Sequence, residues 1–293
     1  MQTMETALSP SRPRANVGFE IKNVDLGSLD DQTFKEKIWS PLMECAAVVL
    51  RNQQLTPEQL VSLGRRFGRL EKHFLSDSLL PGFDEILLLS NIKENGKLIG
   101  RPNTGECWHA DSTFTPNPNR FSLLYSLEVP VNADGVVLGN TLFKSSVDAY
   151  DTLPEDVKKR LVGLRAQHYQ LWFRRRHGDE EGIELTDAQR KKMENVTHPV
   201  VGLHPNTGRK FLYVNRGHTV RIAGMDEQES EELLEYLYNH IEQQPTYVHR
   251  WQVGDLLIWD NLAGQHLAAS DYEWPLRRCM YRLSVAGEVA TMA

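Results

Sequence analysis

Trp108-His109-Ala110-Asp111-Ser112-Thr113-Phe114 places an imidazole and a carboxylate two residues apart. In an extended strand, positions i and i+2 share a face, so His109 and Asp111 can converge on one point as a two-toothed metal clamp. A His-x-Asp tripeptide by itself describes a polar strand end equally well. The rest of the chain has to supply a third ligand and a use for the metal.

At 293 residues, 40% hydrophobic and 25% charged, the chain can bury a full-sized core. A net charge of -6 and a pI near 5.9 argue against nucleic acid or an anionic membrane surface as partner, because those select for excess Lys and Arg. Small molecules are the expected partners. Cys45, Cys107 and Cys279 are an odd, sparse set with no Cys-x-x-Cys pair, which supports neither a disulfide framework nor a thiolate zinc site. Residues 1–16 are polar with Pro10 and Pro13, a flexible tail without an apolar leader, and no run reaches about 18 apolar residues. The expectation is a cytoplasmic protein with one domain over 17–293.

Alternation from Val17 to Leu26 predicts a strand, Asp30 or Asp31 a cap for a helix towards Glu44, and Ala46 to Leu50 a buried strand. Thr56-Pro57-Glu58-Gln59 carries a cap, a first-turn proline and an early acid, predicting helix from Pro57 to about Phe67. Further strands are expected over Glu85–Leu89, Arg120–Glu128, Gly135–Phe143, His198–Leu203, Lys210–Asn215, Tyr247–Trp251, Asp255–Trp259 and Met280–Ala286. Helical patterns occupy Ser145–Leu164 and the stretch from Asp226 to about Gln243. The charged residues 168–194 read as a solvated loop or as a lid over a site. Many short strands with few helices predict a mainly β fold, a sandwich or jelly roll with helices packed outside. No Gly-x-Gly-x-x-Gly or Walker-type run is present, so dinucleotide and nucleoside-triphosphate chemistry lack their phosphate cradles.

The late stretch Ile258-Trp259-Asp260-Asn261-Leu262-Ala263-Gly264-Gln265-His266 brings a second histidine beside a strand, followed by Arg278 and Arg282. Two histidines and one carboxylate that leave other positions open are the arrangement of non-haem Fe(II) oxygenases. A 2-oxo acid chelating through its keto oxygen and C1 carboxylate would then need a planar, always-charged fork for its distal carboxylate, and Arg278 is of that type.

On these residues the chain resembles the Fe(II)/2-oxoglutarate dioxygenases of the taurine dioxygenase and phenoxyacetate-herbicide dioxygenase group. The resemblance extends through Arg51-Asn52-Gln53-Gln54-Leu55-Thr56-Pro57-Glu58-Gln59, Arg66-Phe67-Gly68, His204-Pro205-Asn206-Thr207-Gly208-Arg209-Lys210 and Gly254-Asp255, and covers roughly 17–287. It implies a double-stranded β-helix (jelly-roll) core with His109, Asp111 and His266 on Fe(II), and 2-oxoglutarate and O2 as cosubstrates. It further implies Thr141 and Arg278 on the 2-oxoglutarate carboxylate, His73, Asn91 and Arg282 towards the substrate, and a homo-oligomer, dimer or tetramer. Two departures stand out. Leu138-Gly139-Asn140-Thr141 replaces the family's common Gly-Gly-Asp-Thr, and His218 stands where taurine dioxygenase has an aromatic pocket residue.

The expected reaction is hydroxylation, or cleavage through hydroxylation, of a small anionic substrate (a carboxylate, sulfonate or aryloxyalkanoate) with release of succinate and CO2. Asp111 argues against halogenation, which needs that carboxylate replaced by a small residue. The alternatives are desaturation or ring closure by the same oxidant, a jelly-roll metal enzyme that uses no 2-oxo acid, and a small-molecule binding protein. Arg282 reads as a substrate-anion clamp ahead of a structural ion pair, and Arg277 as structural. His168, His177, His198, His204, His240 and His249 read as surface or strand-end residues, and Trp108 and Trp259 as packing around the ligands.

Overall fold

The computed structural model describes residues 17–72, 78–102, 105–170, 196–288 and 290–293. The proposed tail, His73, His177 and all but the first three residues of the proposed lid lie outside them.

Ala47–Leu50 and Leu256–Asp260 are buried at every position, the signature of strands covered on both faces. They lie together in a seven-stranded sheet ordered Phe19–Ile21, Ala47–Leu50, Leu256–Asp260, Phe121–Glu128, Cys279–Val285, Phe83–Ser90, Leu79–Leu80. Only the first pair is parallel. Side chains alternate between two apolar layers, as the period of two requires. Val48, Leu50, Leu256 and Ile258 face one layer with Phe34, Ile38, Leu42 and Leu60, which come from the helical segments flanking Ala47–Leu50. Ala47, Val49, Leu257 and Trp259 face the other, with Phe143 and Trp251.

Phe143 belongs to a second antiparallel sheet, Tyr247–His249, Thr141–Ser145 and Gly264–Ala268. The two sheets packed face to face are the jelly-roll core, not closed into a barrel. A third sheet, Val196–Pro199, Arg165–His168 and Thr219–Ile222, packs with the helix Glu227–Glu242 through Ala166, Ile222, Leu233, Leu234, Leu237 and Ile241. The helix begins at Asp226, whose carboxylate accepts from the Gln228 and Glu229 N–H groups. Pro57–Arg65 begins with a full capping box between Thr56 and Gln59. Among the described residues, no helix is long and apolar enough to cross a membrane.

Several expectations are corrected. The first strand is only Phe19–Ile21. The strand expected over Gly135–Phe143 starts at Thr141, because Asn132 Oδ1 draws in the N–H groups of Asp134 and Val136 and closes a turn. The strands Arg165–His168, Thr219–Ile222 and Gly264–Ala268 are additions, and the last of them carries His266. His168, His198, His204 and His249 are not surface residues; each is at most 1% exposed. A buried imidazole is best tolerated where fixed partners meet it. His198 Nε2 lies 3.0 Å from the Thr115 carbonyl and His204 Nε2 3.0 Å from Asp260, whereas neither ring nitrogen of His249 makes a hydrogen bond, although Asp255 lies 3.2 Å from its Nε2.

Candidate metal centre

The clamp does not arise from one continuous strand. His109 forms a one-residue antiparallel bridge to His266, in which each backbone N–H donates to the other's carbonyl, at 3.1 and 2.9 Å. This sets the two rings side by side, 4.2 Å between centroids. Asp111 then enters a turn that Ser112 completes with φ of 58°, a left-handed conformation uncommon outside glycine. The close packing of a neighbouring loop needs Gly217, where a Cβ would lie 2.8 Å from Cys107 Sγ and 3.2 Å from His109 Cβ.

Ligating atoms of His109, Asp111 and His266, all buried, lie within 4.8 Å of one another. Asp111 Oδ1 is 3.5 Å from His109 Nε2 and 3.7 Å from His266 Nε2. His109 Nδ1 lies 2.8 Å from the Cys107 carbonyl, which can only accept, so Nδ1 carries a proton and Nε2 is the nitrogen turned to the shared point. Burial, reinforced by His109, holds the His266 pKa well below the usual histidine range, and the ring is neutral. Burial would raise the Asp111 pKa, but the Arg282 guanidinium beside it holds it well below the usual carboxylate range. Two imidazoles and one carboxylate, on one side of a shared point, are the donor set that a divalent iron takes.

Asp111 Oδ2 faces away from that point and is 2.7 Å from a terminal nitrogen of Arg282. The Nε of Arg282 and the Nε of Arg278 are both buried and without a hydrogen-bond partner. Burial lowers the Arg278 pKa, and the Tyr272 hydroxyl opposes this. Asn91 uses both ends of its amide on backbone: Oδ1 accepts from the Arg278 N–H at 2.9 Å, and Nδ2 donates to the Leu276 carbonyl at 2.8 Å. It therefore shapes the segment that carries Arg278. Thr141 is buried, and its Oγ1 accepts from Trp251 Nε1 at 3.1 Å. An indole N–H can only donate, so the threonine hydroxyl keeps its own proton to give. The neighbouring Asn140 Oδ1 is buried and unpartnered.

His218 stands edge-on to His109 at 5.6 Å and to Phe114 at 4.9 Å, with Nδ1 3.0 Å from Thr113 Oγ1. Burial and the His109 ring push its pKa down to about 3. Behind the site, Asp260 accepts from Arg120 at 2.8 Å, and its second oxygen takes the Leu262 N–H at 2.9 Å, which shapes the turn leading to His266. Arg277 forks onto the Glu128 carboxylate at 2.7 and 2.9 Å, away from the metal centre.

The sequence from residue 7 to 284 matches the model of the taurine catabolism dioxygenase TauD, TfdA family. The chain belongs to that family. It is a non-haem Fe(II)/2-oxoglutarate-dependent dioxygenase, an oxidoreductase whose cosubstrates are 2-oxoglutarate and O2. Among relatives, it is 33% identical over 274 residues to the α-ketoglutarate-dependent 2,4-dichlorophenoxyacetate dioxygenase of Cupriavidus pinatubonensis, covering 90% of this chain and 92% of the relative. It is 34% identical to pentalenolactone F synthase of Streptomyces arenae, over 87% of each chain. The crystal structure of a taurine dioxygenase from Burkholderia xenovorans superposes with a TM-score of 0.77 at 29% identity, covering 95% of this chain and 89% of that one. For this TauD, TfdA family member, the histidine bridge and the turn after it are the local structures that assemble the metal centre.

Sequence reasoning missed Ser122 and Trp251, whose polar atoms reach Asp111 and Thr141. Neither carries a local signal, since each meets its partner across a long separation in sequence.

Proposed function

We propose that the protein hydroxylates a small anionic substrate, or cleaves it through hydroxylation, while 2-oxoglutarate is converted to succinate and CO2. The observation that carries this reading is the pair of buried arginine Nε groups, on Arg278 and Arg282, that lack an acceptor beside the three ligands. A buried, unpaired guanidinium edge is costly and is relieved by an oxyanion. Arg278 and the Thr141 hydroxyl would hold the distal carboxylate of 2-oxoglutarate. Arg282 would take the substrate's carboxylate or sulfonate. His109, Asp111 and His266 would hold the iron, which with O2 supplies the oxidising chemistry. One oxygen atom of O2 goes into succinate and the other into the substrate, so the C–H bond becomes C–OH.

His218 would line the substrate side, as a neutral ring between His109 and Phe114. Asn91 would contribute by fixing the backbone of Arg278. The name of the C. pinatubonensis relative supports an aryloxyalkanoate, and that of the B. xenovorans structure a sulfonate.

The test is succinate release over a panel of small carboxylates, sulfonates and aryloxyalkanoates, with Arg282→Ala and His218→Phe beside the native chain. The expected result is substrate-dependent succinate with a product heavier by one oxygen, and a raised KM in Arg282→Ala. A product lighter by two hydrogens would move the reading to desaturation or ring closure. Full activity of Arg282→Ala on the best substrate would remove the anion-clamp role. Absence of a charge-transfer band on anaerobic addition of Fe(II) and 2-oxoglutarate would overturn the whole assignment.

A further inference from the structure

Asp111 Oδ2 has a second partner besides Arg282, the hydroxyl of Ser122 at 2.6 Å. Ser122 Oγ is in turn 3.1 Å from Asn261 Nδ2. The direction of every proton in this group follows from its two ends. Asn261 Oδ1 is 3.1 Å from the Asp111 backbone N–H and 3.1 Å from Trp259 Nε1. Both of those groups can only donate, so the atom they meet is the amide oxygen, and the other end of the Asn261 amide is its NH2. That NH2 donates to Ser122 Oγ, so the serine proton is directed to Asp111 Oδ2. The four side chains are nearly inaccessible to water, with Ser122 at 0% and Asn261 at 1% exposure.

We infer that Ser122 and Asn261 are positioning residues that fix the iron carboxylate as a one-oxygen ligand. Ser122 holds Oδ2 as a permanent donor, and Asn261 sets both the serine's polarity and the backbone of Asp111. Only Oδ1 is left facing His109 Nε2 and His266 Nε2. A carboxylate free to rotate could offer both oxygens and occupy a position that the cosubstrates need. Strands far apart in the sequence meet here. Ser122 lies in Phe121–Glu128, Asn261 follows Leu256–Asp260, and Trp259 pairs with Ser122 in the ladder between them. The hydrogen-bonded cradle is therefore built on the most buried part of the main sheet.

The inference rests on the metal reading above, and the experiment separates the two. Co(II) binding to metal-free protein is measured by calorimetry and by the visible d–d spectrum for the native chain, Ser122→Ala, Ser122→Thr and Asn261→Asp, with a thermal melt of each in the metal-free state. Asn261→Asp keeps the shape but has no donor for Ser122. The expected result is a roughly 10- to 100-fold loss of Co(II) affinity with an altered spectrum in Ser122→Ala and Asn261→Asp, and recovery of most of that affinity in Ser122→Thr. Native affinity and spectrum in a folded Ser122→Ala or Asn261→Asp would overturn the inference. So would loss of the cooperative melt in both, which would make the pair a general structural element. Failure of the native chain to bind Co(II) would instead overturn the metal reading.

Discussion

Arg278→Met is expected to move cosubstrate binding and stability in opposite directions. In the protein without cosubstrate, the guanidinium is buried, its Nε has no acceptor, and Tyr272, with Cys279, opposes the fall in its pKa. An unsatisfied buried donor on a charged group costs about 1–3 kcal/mol, and a flexible apolar chain of similar length fills the space without that cost. Allowing for imperfect packing, the metal-free variant is expected to gain about 1 kcal/mol, seen as a rise of about 2–4 °C in Tm. The same change removes a charge-assisted fork worth about 3–4 kcal/mol, which is a loss of about 100- to 1,000-fold in 2-oxoglutarate affinity. Arg278→Lys keeps one point charge and should fall between the two. Scanning calorimetry of metal-free protein and anaerobic titration of the Fe(II) protein with 2-oxoglutarate give the two readings. A variant that is less stable without cosubstrate, or one that binds 2-oxoglutarate within a few-fold of the native chain, would refute the assignment of Arg278 as an anion fork kept waiting in a dry site.

Trp251→Phe removes the donor that orients the Thr141 hydroxyl. Steady-state kinetics should show the KM for 2-oxoglutarate raised by about 3- to 10-fold, with kcat little changed, the effect of about 1 kcal/mol of hydrogen bonding. Asp260→Asn leaves Arg120 beside a neutral amide in a fully buried turn, and urea unfolding should report a loss of about 3–5 kcal/mol. His168, His198 and His249 have pKa values lowered, chiefly by burial. Each is neutral in the folded chain and takes up a proton on unfolding. The stability this gives is present above the ordinary histidine pKa of about 6.5 and is lost as pH falls below it towards the folded values, by up to about 1.4 kcal/mol per pH unit for each ring. Unfolding free energies of metal-free protein between pH 7.5 and pH 5 measure this slope. His198→Gln should reduce it by about one proton, and an unchanged slope would place the pH dependence elsewhere.

What the linear sequence determined is the class of fold and the three residues, His109, Asp111 and His266, that the fold brings together as a candidate metal site. Short apolar runs at strand period, cut by turn residues, specify a β architecture because burying alternate side chains leaves few other arrangements. The His109-x-Asp111 pair, His266 and the arginines near the C-terminus carry their chemistry in residue type, which sequence displays directly. The capped helices at Thr56 and Asp226 were legible for the same reason, since their bonds close within a few residues.

Tertiary structure alone decided the rest. His109 and Asp111 converge through a bridge to a residue more than 150 positions away, followed by a left-handed turn at Ser112, and not by strand alternation. Four histidines with the local look of strand ends lie in the core, because burial depends on what the rest of the chain packs against them. Ser122, Asn261 and Trp251 take their roles from partners that the fold brings to them from distant parts of the sequence. Sequence spacing states which donors and acceptors exist. Only their placement in a dry interior, where each must find one particular partner, determines what each of them does.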